Sequence, residues 1–199
     1  LSDLVKAQPD VLERLRGKRV ILPANAPGCP GCEKFDRAYT TIVTDTGRVA
    51  NLNRLFSAEQ SVPEVDSVRA LVDTVKPGLT LDCHEGFGDK FYLFTTLTID
   101  PRWIELAQSI TGAVASRGQP LARLQELSRE MGPDTVATLT EIGDGILAHK
   151  PSTELEDSLG GYCGRYGPSF TLESGMFNSL ERRADFQVWG VLAALETWE

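Results

Sequence analysis

The chain has 199 residues, with 20 Lys and Arg against 28 Asp and Glu, and the resulting net charge of -8 without any basic stripe excludes a phosphate backbone as main partner. Hydrophobic residues at 41% and charged residues at 24% exclude a disordered chain and, with the length, fit one compact domain over 1–199. Apolar runs such as Val20-Ile21-Leu22 fall far short of the ~20 residues that cross a bilayer. The start, Leu1 to Lys6, lacks a signal-peptide core, which places the protein in the cytoplasm if Leu1 is its natural start.

Leu4, Val5, Ala7, Val11, Leu12 and Leu15 recur at near-helical spacing, and Pro9 is expected to split them into two short helices. Lys18 to Pro23 reads as a short buried strand. Residues 24–60 are rich in Gly, Pro, Asn and Asp and are expected to be mostly loop. Ser61-Val62-Pro63-Glu64 is a capping box, and Val65, Val68, Leu71, Val72 and Val75 follow on one helical face. Leu79 to His84 and Phe91 to Thr98 read as strands. Asp100-Pro101 caps a helix through about Ser116, and Leu121 to Met131 forms another. Residues 132–167 are mixed, Pro168 to Glu173 reads as a strand, and Ser179 to Thr197 as a long amphipathic helix. Alternating helices and strands predict a mixed, largely parallel sheet with helices on both faces. Ligands of such sheets gather beyond the carboxyl ends of strands, where both His84 and Glu173 fall.

Four cysteines are too few for a disulfide scaffold. Cys29 and Cys32 form a C-x-x-C on a loop, either incidental thiols, a redox pair, or half of a zinc site whose other half Cys83 and Cys163 do not supply. His84, at a strand tip before Glu85-Gly86, is either a metal ligand or general base or a plain structural histidine, and Asp82 on the same side of the strand either orients its ring or bonds a loop amide. His149, beside Lys150-Pro151, reads as an exposed loop residue. Glu173, if held in a partly dry pocket, would have a raised pKa and serve as general base; the plainer alternative is a capping or salt-bridged glutamate. Asn53 and Arg54 lie among Leu52, Leu55 and Phe56, where an arginine can present a two-pronged donor to a carboxylate or bond backbone carbonyls.

In order, Asn51-Leu52-Asn53-Arg54-Leu55-Phe56, Leu81-Asp82-Cys83-His84-Glu85-Gly86 and Phe170-Thr171-Leu172-Glu173-Ser174-Gly175 resemble the zinc carboxypeptidase superfamily, most of all its succinylglutamate desuccinylase/aspartoacylase branch. Gly17 to Gly28 is similar to that family's strand and Asn-Pro-Gly-like loop. The resemblance implies one zinc ion at the carboxyl edge of the sheet and hydrolysis of an amide in an N-acyl amino acid or a peptide bearing a carboxylate. It makes His84 the later of two histidine ligands, Glu173 the catalytic base and acid, and Asn53 with Arg54 the clamp on the substrate carboxylate. A further arginine would correspond to Arg37 or Arg48, and Tyr162 or Tyr166 would close over substrate. The family's His-x-x-Glu ligand motif is missing and would be expected just before Leu1, which implies either an omitted upstream segment or a metal-free relative that binds an acidic or peptidic ligand without cleaving it. A thiol redox protein using Cys29 and Cys32 is the remaining alternative.

Overall fold

The computed structural model describes residues 10–14, 19–20, 41–43, 49–57, 62–96, 100–131, 136–150 and 157–198. Contacts divide the chain into two compact units, Leu1–Val75 with Glu156–Tyr162, and Lys76–Leu155 with Cys163–Glu199.

In the first unit, a short helix α1 (Val11–Arg14) precedes strand β1 (Arg19–Val20). The halves of these expected elements at 4–9 and 21–23 lie outside the described residues, as do Cys29, Cys32, Arg37 and Arg48. The loop expected over 24–60 is corrected by two further strands, β2 (Thr41–Val43) and β3 (Val49–Asn51), which pair antiparallel with Ile42 opposite Ala50. Thr41, Ile42 and Val43 are all β-branched and favour extended backbone, but three residues are too few for an alternating pattern to show. Leu52–Arg54 then makes one 3-10 turn. Helix α2 (Pro63–Val75) begins at the expected proline. Val65 and Val72, two turns apart, are buried, whereas Val68, Leu71 and Val75 are exposed, so only one edge of the apolar face is covered. From α2, Asp73 accepts hydrogen bonds from the Tyr162 hydroxyl at 2.7 and 2.8 Å, and the Tyr162 ring lies against Phe56.

The second unit holds a five-stranded sheet. Strand β4 (Thr80–Gly86) is followed by β5 (Tyr92–Thr96), helix α3 (Pro101–Ala115) and helix α4 (Leu124–Met131). Next come β6 (Leu139–Gly143) and β7 (Ile146–His149), a hairpin within the segment read only as mixed. Helix α5 (Leu159–Cys163) belongs to the first unit up to Tyr162, and strand β8 (Ser169–Gly175) and helix α6 (Leu180–Thr197) are the last elements of the second. Strand order is β4-β8-β5-β7-β6, with β4/β8 and β5/β7 parallel and the other two pairings antiparallel.

Side chains alternate across the sheet and sort into two cores. Phe91, Leu93, Ile146, Phe170 and Leu172 meet Leu106, Ile110 and Val114 of α3 and Phe186 and Ala194 of α6. On the opposite face Tyr92 and Leu147 pack with Ala122, Leu127 and Leu139. Helices therefore cover both faces, as the alternation of elements predicts. Caps follow the sequence: the Asp100 carboxylate accepts from Arg102 N–H at 3.0 Å at the start of α3, and Ser179 accepts from Arg182 N–H at 3.3 Å at the start of α6. Gly190 lets α6 approach closely, since a β-carbon there would lie 2.9 Å from Leu172 and 3.2 Å from Ile110. No helix among the described residues is long and apolar enough to cross a membrane.

Candidate active site

The parallel pairing of β4 with β8 sets His84 directly beside Glu173 and Asp82 beside Thr171. Register partners share a face, and Asp82 and His84 are two residues apart, so Asp82, His84 and Glu173 stand together on the sheet face that also carries Tyr92. This is the face opposite α6. The Asp82 carboxylate lies 3.0 Å from His84 Nε2, and Glu173 Oε1 lies 3.8 Å from His84 Nδ1. His84 is partly open to solvent, its side chain 37% exposed, whereas Glu173 is buried.

Burial gives Glu173 its chemistry. The low-dielectric surroundings disfavour the carboxylate and push its pKa up to about 7; a charged His84 opposes the rise, while Asp82 and Glu85 add to it. Glu173 Oε2 is buried with no hydrogen-bond partner among the described residues. A carboxyl group titrating near neutrality can both take and return a proton at working pH.

The backbone around this pair is closely fitted. Tyr92 is the register partner of Glu173 on its other side, and its hydroxyl accepts from Phe87 N–H at 3.1 Å. Gly86 leaves room for that phenol: a β-carbon at 86 would run into the Tyr92 ring and lie 2.9 Å from Glu173 Cβ. From the α6 face, Gln187 Nε2 donates to the carbonyls of His84 at 2.8 Å and Leu172 at 3.0 Å. The Ser174 hydroxyl donates to the His84 carbonyl at 3.1 Å, and Arg183, itself buried, pairs with Glu85. None of Tyr92, Ser174, Arg183 and Gln187 stands out as a site residue in the sequence. The signal present is a polar pair one turn apart, Arg183 and Gln187, interrupting the inward line of Phe186, Gly190 and Ala194.

Asn53 and Arg54 belong to the first unit. Asn53 N–H donates to the Asn51 side chain at 2.9 Å, and the Asn53 side-chain oxygen accepts from Leu159 N–H at 2.8 Å. Together with the bond from Phe56 N–H to the Asp157 carbonyl at 2.9 Å, this fastens the turn to the segment entering α5. Arg54 is exposed and donates to the Asn53 carbonyl at 2.7 Å. Tyr162 is buried and engaged with Asp73, and Tyr166 N–H donates to the Cys163 carbonyl at 2.9 Å. His149 is corrected from exposed loop to the end of β7, half-buried with its ring 4.9 Å from that of Phe94. Cys83 and Cys163 are unbridged, and burial raises both thiol pKa values, the reverse of what a reactive thiolate requires.

A catalytic zinc takes three protein ligands. His84 is the residue type that supplies one, and its two ring nitrogens face carboxylates, Asp82 at Nε2 and Glu173 at Nδ1. Among the described residues, however, no group of three or more His, Cys, Asp or Glu side chains could hold a metal ion. The described residues by themselves do not form a zinc site.

Fold and site together define a mixed α/β protein that sets a histidine and a buried carboxyl group side by side near the carboxyl ends of adjacent strands. No protein-family model and no curated protein matches the sequence. Among solved structures, a candidate metallopeptidase from Shewanella denitrificans is 18% identical with a TM-score of 0.52, the match covering 77% of this chain and 53% of that one. A second candidate metallopeptidase, from Shewanella amazonensis, is 12% identical at TM-score 0.47, covering 78% and 52%. A metallo-carboxypeptidase from Burkholderia cenocepacia is 16% identical at TM-score 0.45, covering 75% and 39%. The chain thus spans about half the length of the first two. The first similarity carries the fold assignment: this is an α/β fold of the kind seen in that metallopeptidase candidate.

Proposed function

We propose that this chain forms part of a zinc-dependent hydrolase that cleaves an amide bond in an N-acyl amino acid or in a peptide bearing a carboxylate, of the succinylglutamate desuccinylase/aspartoacylase type. The observation that carries the reading is the buried Glu173 carboxyl, with a pKa of about 7, beside a histidine that already has a carboxylate on its other ring nitrogen. Glu173 is the general base that takes a proton from the attacking water and returns it to the leaving amine. His84 is one metal ligand, and the remaining ligands come from outside the described residues. When bound, zinc supplies polarisation of the amide carbonyl and a more acidic water. Asn53 and Arg54 hold the substrate carboxylate, for which the exposed guanidinium is chemically suited.

The test is release of free amine from a panel of N-acyl amino acids and C-terminal peptides by the full-length protein, with and without chelator. Glu173→Gln is expected to lower kcat by about 10²–10⁴-fold. Arg54→Ala is expected to raise KM for carboxylate-bearing substrates while leaving kcat near wild type. Wild-type hydrolysis that survives chelation, or hydrolysis by the Glu173→Gln protein at the wild-type rate, would overturn the reading.

A further inference from the structure

We propose that Gln187 and Arg183 are positioning residues, holding His84 and Glu173 in mutual alignment from the opposite face of the sheet. The proposal rests on the hydrolase reading for its catalytic consequence and on geometry for its structural one. His84 and Glu173 come from different strands, so their relation depends on how rigidly β4 is fixed to β8. The Gln187 amide spans that junction, donating at 2.8 Å to the His84 carbonyl on β4 and at 3.0 Å to the Leu172 carbonyl, next to Glu173 on β8. The Ser174 hydroxyl adds a second donor to the His84 carbonyl at 3.1 Å. One turn earlier on α6, buried Arg183 pairs with Glu85, the residue after His84.

A helix that only packed against the sheet would be apolar at these positions, as it is at Phe186, Gly190 and Ala194. Placing an amide and a guanidinium there costs desolvation, which the bonds of Gln187 Nε2 and the Arg183–Glu85 pair offset while Gln187 Oε1 stays buried with no hydrogen-bond partner among the described residues. The Gln187 amide bonds the backbone of His84 and Leu172, and the Arg183 guanidinium bonds Glu85, the strand neighbour of His84. A single-residue slip between β4 and β8 would turn His84 to the other face, so the bridge also secures register.

Loss of such an outer partner costs about 10–100-fold in activity. The variant is Gln187→Met, which keeps length and removes the donor; Ser174→Ala is a milder companion should Gln187→Met fold poorly, and the exposed Val188→Ala is the control. The sequence has only two histidines, so a ring 15N–1H spectrum of histidine-labelled full-length protein reads His84 directly, with His149 as internal reference. The expected result is a shifted or broadened His84 signal with His149 unmoved, and a kcat fall of about 10–100-fold with KM within about twofold. His84 signals and kcat identical to wild type in both Gln187→Met and Ser174→Ala would overturn the proposal, as would His149 moving as much as His84. If the wild type hydrolyses no amide, the hydrolase reading fails, while the His84 spectrum still decides the positioning role.

Discussion

Replacing Glu173 by glutamine keeps the shape of the side chain and removes its ionisation, so the pH dependence of stability isolates what burial does to this group. Its pKa stands at about 7 in the folded protein against an ordinary 4.5. The folded state therefore holds the proton more tightly than the unfolded chain, and the resulting stabilisation is full below the unfolded value and lost as pH rises through about 7. A difference of about 2.5 units, at 1.36 kcal/mol each, amounts to about 3 kcal/mol in all. A practical series starts just above the pI near 4.9. From about pH 5 to about pH 8 the wild type should lose about 2.5 kcal/mol relative to Glu173→Gln. The assay is urea denaturation of both proteins at several pH values, compared as differences so that other titrating groups cancel. Parallel stability curves would refute the reasoning, since they would mean that Glu173 titrates alike in the folded and unfolded chain. A wild type that gains stability with rising pH relative to the variant would refute it more strongly, because the carboxylate would then be the favoured form inside.

Three further outcomes follow from the packing. Gly86→Ala should destabilise by about 1–3 kcal/mol through overpacking against Tyr92 and Glu173, measured by thermal melting. Combining it with Tyr92→Ala should cost less than the sum of the two single changes. Tyr162→Phe removes the hydrogen bonds to Asp73 and should cost about 1–2 kcal/mol in chemical denaturation; no change would mean that solvent satisfies Asp73 equally well. Asp82→Asn removes the charge beside His84 Nε2 and should lower kcat in the amide assay by about 10–100-fold, and an unchanged kcat would show that Asp82 does not orient the ring.

Elements that announce themselves in sequence are those whose signal is local. The Pro63 helix, the Asp100-Pro101 start of α3 and the long helix after Ser179 each combine a cap with a repeating apolar face, and all three lie where the sequence places them. The strands at 41–43 and 49–51 do not, because three residues are too few to show a period. β6 and β7 escape for a related reason: their pairing across Asp144-Gly145 depends on a tight turn at Gly145, with φ of 67°, more than on hydrophobic alternation.

The site divides along the same line. His84 and Glu173 each end a readable strand, so their individual positions are legible, but their adjacency is not. It arises from the parallel pairing of β4 with β8, a contact between segments far apart in the chain that neither segment records. Gln187 and Arg183 are hidden for the opposite reason. On an amphipathic helix, polar residues are assigned to solvent, and only the surrounding Phe186, Gly190 and Ala194 show that this pair lies on the inward side. Polar residues on the buried face of a helix are therefore informative in this fold: the backbone they bind belongs to the strands carrying His84 and Glu173, so a helix with no reacting group of its own still bears on the alignment of the site.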